Sequence, residues 1–72
     1  MTDLYTELED ANRQVAECDQ RIEDQMARIL KLQREGEDPT EAKTTMRKFE
    51  LLLARIIEHR KHILHALVSM QR

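Results

Sequence analysis

Apolar residues recur along the first half of the chain at alternating steps of four and three. They are Leu4, Leu8, Ala11, Val15, Cys18, Ile22, Ile29 and Leu32, with Gln25 in the one polar slot. This is a heptad repeat, and it predicts an amphipathic helix from about Thr2 to Glu35. The second half repeats the pattern through Ala42, Met46, Phe49, Leu53, Ile56, Arg60, Ile63, Leu67 and Met70, with Arg60 as the polar exception. It predicts a second helix from about Pro39 to Met70.

The only glycine and the only proline of the chain lie between the two series, in E-G-E-D-P-T-E at residues 35–41. Gly36 suits a left-handed residue just past a helix end. Asp38 suits an N-cap, Pro39 the first helical position and Glu41 the third position of a capping box. Stop and start signals this close predict two antiparallel helices joined by a loop at 36–38, rather than a kink in one long helix. The expected fold class is all-α, a single antiparallel two-helix hairpin with coiled-coil-like packing over residues 1–72. Folded about residues 37–39, Leu8 falls near Leu67 and Met70, Ile22 near Leu53 and Ile56, and Ile29 near Met46 and Phe49. Such a hairpin is roughly 45–50 Å long at about 1.5 Å per residue.

Charge follows the same division. Residues 1–42 carry 12 acidic and 5 basic side chains, net −7, while residues 43–72 carry 2 and 7, net +5. An acidic helix beside a basic one predicts flank ion pairs that fix register and partner more than they add stability.

Helix 2 has more apolar surface than one partner helix can cover. Leu52 and Ala66 lie beside its main series on one flank, and Ile57, Leu64 and Val68 on the other. Helix 1 has only Tyr5, Met26 and Leu30 in addition to its series. An apolar arc well over about 100° wide predicts a further partner. The economical solution is a homodimer of hairpins, a four-helix bundle with helix 2 nearest the twofold axis. The expected dimer interface is Leu52, Ile56, Ile57, His59, Ile63, Leu64, Ala66 and Met70. A chain of 72 residues with one cysteine has no internal disulfide to support it, which strengthens the case for a partner.

Two polar residues interrupt the apolar series and are candidates for setting register. Arg60 either snorkels outward while its stem packs or pairs with Asp19 across the hairpin. Gln25 either makes a buried hydrogen bond or marks a loosely packed layer.

The candidates for chemistry are few. His59, His62 and His65 step by three along helix 2, so one face cannot gather all three, although Glu58 and His62 are neighbours. No metal site and no cofactor is expected. If His59 sits at the twofold axis, the dimer weakens as pH falls through about 6.5. Cys18 lies in the apolar series, where a thiol behaves as a small, inert hydrophobe. The basic residues of helix 2 raise nucleic-acid binding, but the chain is net −2 and has two aromatic residues, so no nucleic-acid partner is expected. The acidic amino terminus has no apolar run of a secretory signal, and no stretch reaches the ~20 apolar residues of a membrane span. A cytoplasmic location without membrane contact is the expectation.

The run V-A-E-C-D-Q-R-I at 15–22 resembles part of the first helix of all-helical chorismate mutases over about a dozen residues. The arginines of that family would fall at Asn12 and Ile29, whereas Arg13 and Arg28 are each one residue away. One residue turns a helical side chain by about 100°, so no such catalysis is expected. A broader resemblance covers most of the chain. V-A-E at 15–17, R-I at 21–22, Gln25, Ile29, Leu32, Gly36, Asp38, Ala42, Phe49, Leu53, H-R at 59–60 and I-L at 63–64 are similar to a group of short bacterial helical-hairpin proteins. The sequence departs from that group in Asp38-Pro39-Thr40, where Asp-Thr is usual. The resemblance implies a hairpin with a G-x-D turn and brings no activity with it.

The expected function is a non-catalytic helical interaction or scaffold module acting as a homodimer. The alternatives are a small regulatory protein that binds a larger partner through the excess face of helix 2, and weak nucleic-acid or metal binding through its basic, histidine-bearing surface.

Overall fold

The computed structural model describes residues 3–71. It contains two α-helices, α1 (Leu4–Arg34) and α2 (Thr40–Met70), packed antiparallel as a hairpin. The molecule measures 57 × 19 × 14 Å. Its length exceeds the expected 45–50 Å because the turn and capping residues add to helices of 31 residues each.

Helix α1 starts where Asp3 caps it. The Asp3 carboxylate accepts a hydrogen bond from the Thr6 N–H at 2.7 Å, which satisfies one of the orphan donors of the first turn. Residue Thr2, the expected start, lies outside the described residues. Glu7 in the first turn and Lys31 and Arg34 in the last complement the helix dipole.

The turn closes α1 by two bonds. The Gly36 N–H donates to Gln33 O at 3.2 Å and the Glu37 N–H to Leu32 O at 2.8 Å. This is a Schellman motif, which needs a left-handed residue in the middle. Gly36 supplies it at φ 73°, as the sequence predicts. The helix restarts one residue later than expected. Pro39 has ψ 7°, away from the helical value, and stands just outside α2 at its N-cap. The loop is accordingly 35–39 rather than 36–38.

Asp38 still does the capping. Its Oδ1 accepts from the Thr40 hydroxyl at 2.6 Å and the Thr40 N–H at 3.0 Å. Both donors come from one residue, so the side chain is held over Thr40. The reciprocal bond expected from Glu41 is not among the contacts of the described residues. The Thr40 hydroxyl, then its N–H, hold the Asp38 carboxyl below the ordinary 3.8. A carboxylate with a lowered folded-state pKa adds stability above its unfolded value and loses it as pH falls through the folded one. Asn caps equally well without titrating. Wild type therefore loses stability relative to Asp38→Asn between about pH 5 and about pH 2.5. Urea midpoints at the two pH values check this, and parallel curves would count against it.

The core is thin. The buried residues are Ala11, Cys18 and Ile29 of α1 and Ala42, Ile63 and Leu67 of α2. At the open end Ala11, Ile63 and Leu67 form one cluster, with Leu4 and Leu8 packed against it. Leu8 and Leu67 thus belong together, as the folded register requires. Met70 does not join them and is 69% exposed. The first residue of α1, Leu4, already packs on the cluster containing Leu67.

The flank ion pairs expected between the two halves do not form among the described residues. The ion pairs present lie within single helices, Arg13–Asp10 at 2.8 Å and His62–Glu58 at 3.3 Å. Exposed pairs gain little from holding two long side chains in one geometry, so water competes with them.

Candidate interaction surface

Two contacts mark the two sides of the hairpin. On one side Arg60 Nη1 donates to Asn12 Oδ1 at 3.3 Å. Arg60 is half-buried, so its stem packs while its head reaches the rim. Its partner is Asn12, not Asp19. The arginine is four residues before Leu64, and Asn12 lies one heptad after Tyr5, so both belong to this side by helical spacing.

On the other side the Arg21 guanidinium lies 5.6 Å from the centre of the Phe49 ring. A groove of about 250 Å³ runs here, lined by Gln14, Glu17, Cys18, Arg21, Phe49, Leu52 and Ile56. A smaller one of about 170 Å³ continues past Gln14 between Glu7, Asp10, Ala11 and His59. Cys18 is buried, and its thiol faces the Phe49 carbonyl at 3.8 Å, a partner that cannot act as a base.

The residues expected to form one interface are therefore divided. Leu52, Ile56 and His59 line the groove side. Ile57 and Leu64 lie beside Arg60, on the Asn12 side, by steps of three and four. Ile63 is buried in the hairpin core with 4% of its surface left, so it has little to give a second partner. Ala66 is half-buried, and Met70 stands free at the helix end. Gln25 is half-buried and makes none of the side-chain hydrogen bonds of the described residues, whereas Arg60 bridges the helices to Asn12.

The histidines go to three places. His59 faces Glu7 and Asp10 across the smaller groove. His62 Nε2 is 3.3 Å from Glu58 Oε1 on the outer surface, and the His65 carbonyl accepts from the Ser69 hydroxyl at 3.0 Å. Among the described residues no three His, Cys, Asp or Glu side chains converge as metal ligands. No described helix is long and apolar enough to cross a membrane.

Sequence spacing understated helix α1. Tyr5, Met26 and Leu30 are all at least half exposed. Tyr5 and Met26 are three heptads apart and Leu30 is four residues further, so they share an edge with Asn12. The signal was present in the sequence as that spacing.

Comparison with known proteins gives no match to any family model, curated protein or solved structure.

Proposed function

We propose that the chain is a non-catalytic self-association module, a hairpin that pairs with a second copy into a four-helix bundle. The observation that carries this reading is the amount of surface the hairpin leaves open. It exposes 5877 Å², whereas a folded monomer of 8.6 kDa exposes roughly 4,700 Å². The surplus, roughly 1,200 Å², exceeds the ~800 Å² that each partner gives to a standard interface. The shape explains the surplus. The radius of gyration is 16.6 Å, against about 11 Å for a compact chain of this length. Two rods side by side have one seam, and everything off that seam meets water.

Light scattering on a sizing column over about a hundredfold range of concentration tests the reading. Twice 8.6 kDa at the upper end is the expected mass. A single-chain mass throughout would overturn the reading and leave the surplus surface to a different protein partner.

A further inference from the structure

We infer that the second copy docks on the Asn12–Arg60 side, through an edge of each helix, and leaves the groove side free. This rests on the self-association reading above and names its face. Nine large apolar side chains are exposed among the described residues. Six of them, Tyr5, Met26, Leu30, Ile57, Leu64 and Val68, fall on this side. On α1 the edge runs Tyr5, Asn12, Asp19, Met26 at heptad steps, then Leu30. On α2 it runs Ile57, Leu64, Val68 at steps of seven and four, with Arg60 and Lys61 between the first two. The Arg60–Asn12 hydrogen bond joins the two edges into one surface. Of the other three, Leu52 lines the groove, Met70 ends α2, and Leu51 lies on neither edge by its helical phase.

Charge identifies the occupant as a copy of the chain. The α1 edge carries Glu9, Asp19 and Glu23, and the α2 edge carries Arg60 and Lys61. A twofold contact lays a patch on itself, so each sign must find its opposite within the same patch. The presence of both signs on one face satisfies that condition. A strongly acidic or basic partner, or an anionic lipid surface, would call for one sign. The groove side is poorer in exposed apolar groups, and Arg21 already lies over its one aromatic ring. The surplus of roughly 1,200 Å² is also of the size that one such face removes. The inference differs from the arrangement expected from sequence, in which helix 2 is nearest the twofold axis, because α1 supplies half of the six residues.

Leu64 and Leu52 make a matched pair for the test, since they are 44% and 45% exposed on opposite sides. Leu64→Asp is expected to drop the mass from twice 8.6 kDa to 8.6 kDa at a concentration where Leu52→Asp stays at the higher value. A second measurement avoids any folding defect from the carboxylate. In a Cys18→Ala background, the thiol of Leu64→Cys is expected to label slowly in concentrated protein and faster on dilution. The thiol of Leu52→Cys is expected to label at one rate throughout. A dimer split by Leu52→Asp but not by Leu64→Asp, or by neither, would overturn the choice of face while leaving self-association intact. So would dilution-dependent labelling at Leu52→Cys alone. Wild type at 8.6 kDa across the whole range would remove self-association itself, and the face with it.

Discussion

Ile63→Ala lowers the free energy of unfolding by about 2–5 kcal/mol, the range for deleting a buried branched side chain. Ile63 is 4% exposed and belongs to the one cluster that joins Ala11 and Leu67 at the open end, with Leu4 and Leu8 against it. Its neighbours cannot collapse easily into the space. Ala11 is small, and the side chains of Leu4 and Leu8 are already partly in water. A chain of this size has a total stability of only about 4–11 kcal/mol, so the loss is a large part of the whole. Leu51→Ala is the control. Leu51 is 57% exposed, and its truncation should change stability by about 0.5 kcal/mol or less. Urea unfolding followed by far-UV circular dichroism, at one fixed protein concentration, compares the two. Equal midpoints would mean that the Ile63 cluster does not hold the open end together.

The hairpin was legible in the sequence because its signals are local. Gly36 meets a backbone requirement that no other residue type meets as cheaply, and φ 73° follows from it. Asp38 caps through bonds that reach only two residues along the chain. The helix ends fall within one or two residues of the expectation, apart from the amino-terminal end, where Thr2 lies outside the described residues. What was not legible depends on where the second helix stops and how water competes. Met70 continues the apolar series without a break, yet it stays largely exposed outside the cluster of described residues at the open end, because a heptad gives phase and not overlap. The charges of the two halves differ in sign, but among the described residues no ion pair joins the two helices, since water competes with exposed pairs. The partner of Arg60 turned on axial register, because Asn12 and Asp19 are one heptad apart and share a phase. The candidate surface was half legible. Ile57, Leu64 and Val68 were visible as a flank of α2, whereas Tyr5, Met26 and Leu30 of α1 were visible only as scattered extras, because Tyr5 and Met26 are three heptads apart with polar residues between.

The small residues of the core set how close the helices lie, and this makes Ala11→Leu the second large effect. A heptad pattern alone would welcome leucine at that position, since it is apolar and nearly as good a helix former as alanine. The packing says otherwise. Ala11 is 2% exposed, the lowest value of the core residues, and sits in the cluster with Ile63 and Leu67. Those two large side chains of α2 occupy the space in front of it. Three added carbons must push them off their rotamers or force the helices apart, at a cost of about 1–3 kcal/mol. Ala27→Leu, on an exposed stretch of α1 off the proposed docking edge, lacks that obstacle and should change stability by about 0.5 kcal/mol or less. Urea midpoints of the two variants test the contrast, and a more stable Ala11→Leu would show that the helices have room to spare at the open end. The effect reaches the proposed interface as well. Tyr5 and Val68 adjoin the Leu4 and Leu67 positions of this same cluster on their respective helices, so separating the helices there also spreads the two edges that a second copy must cover. Ala11→Leu is therefore expected to lower the association constant along with the stability, although residue 11 itself is almost wholly buried inside the hairpin.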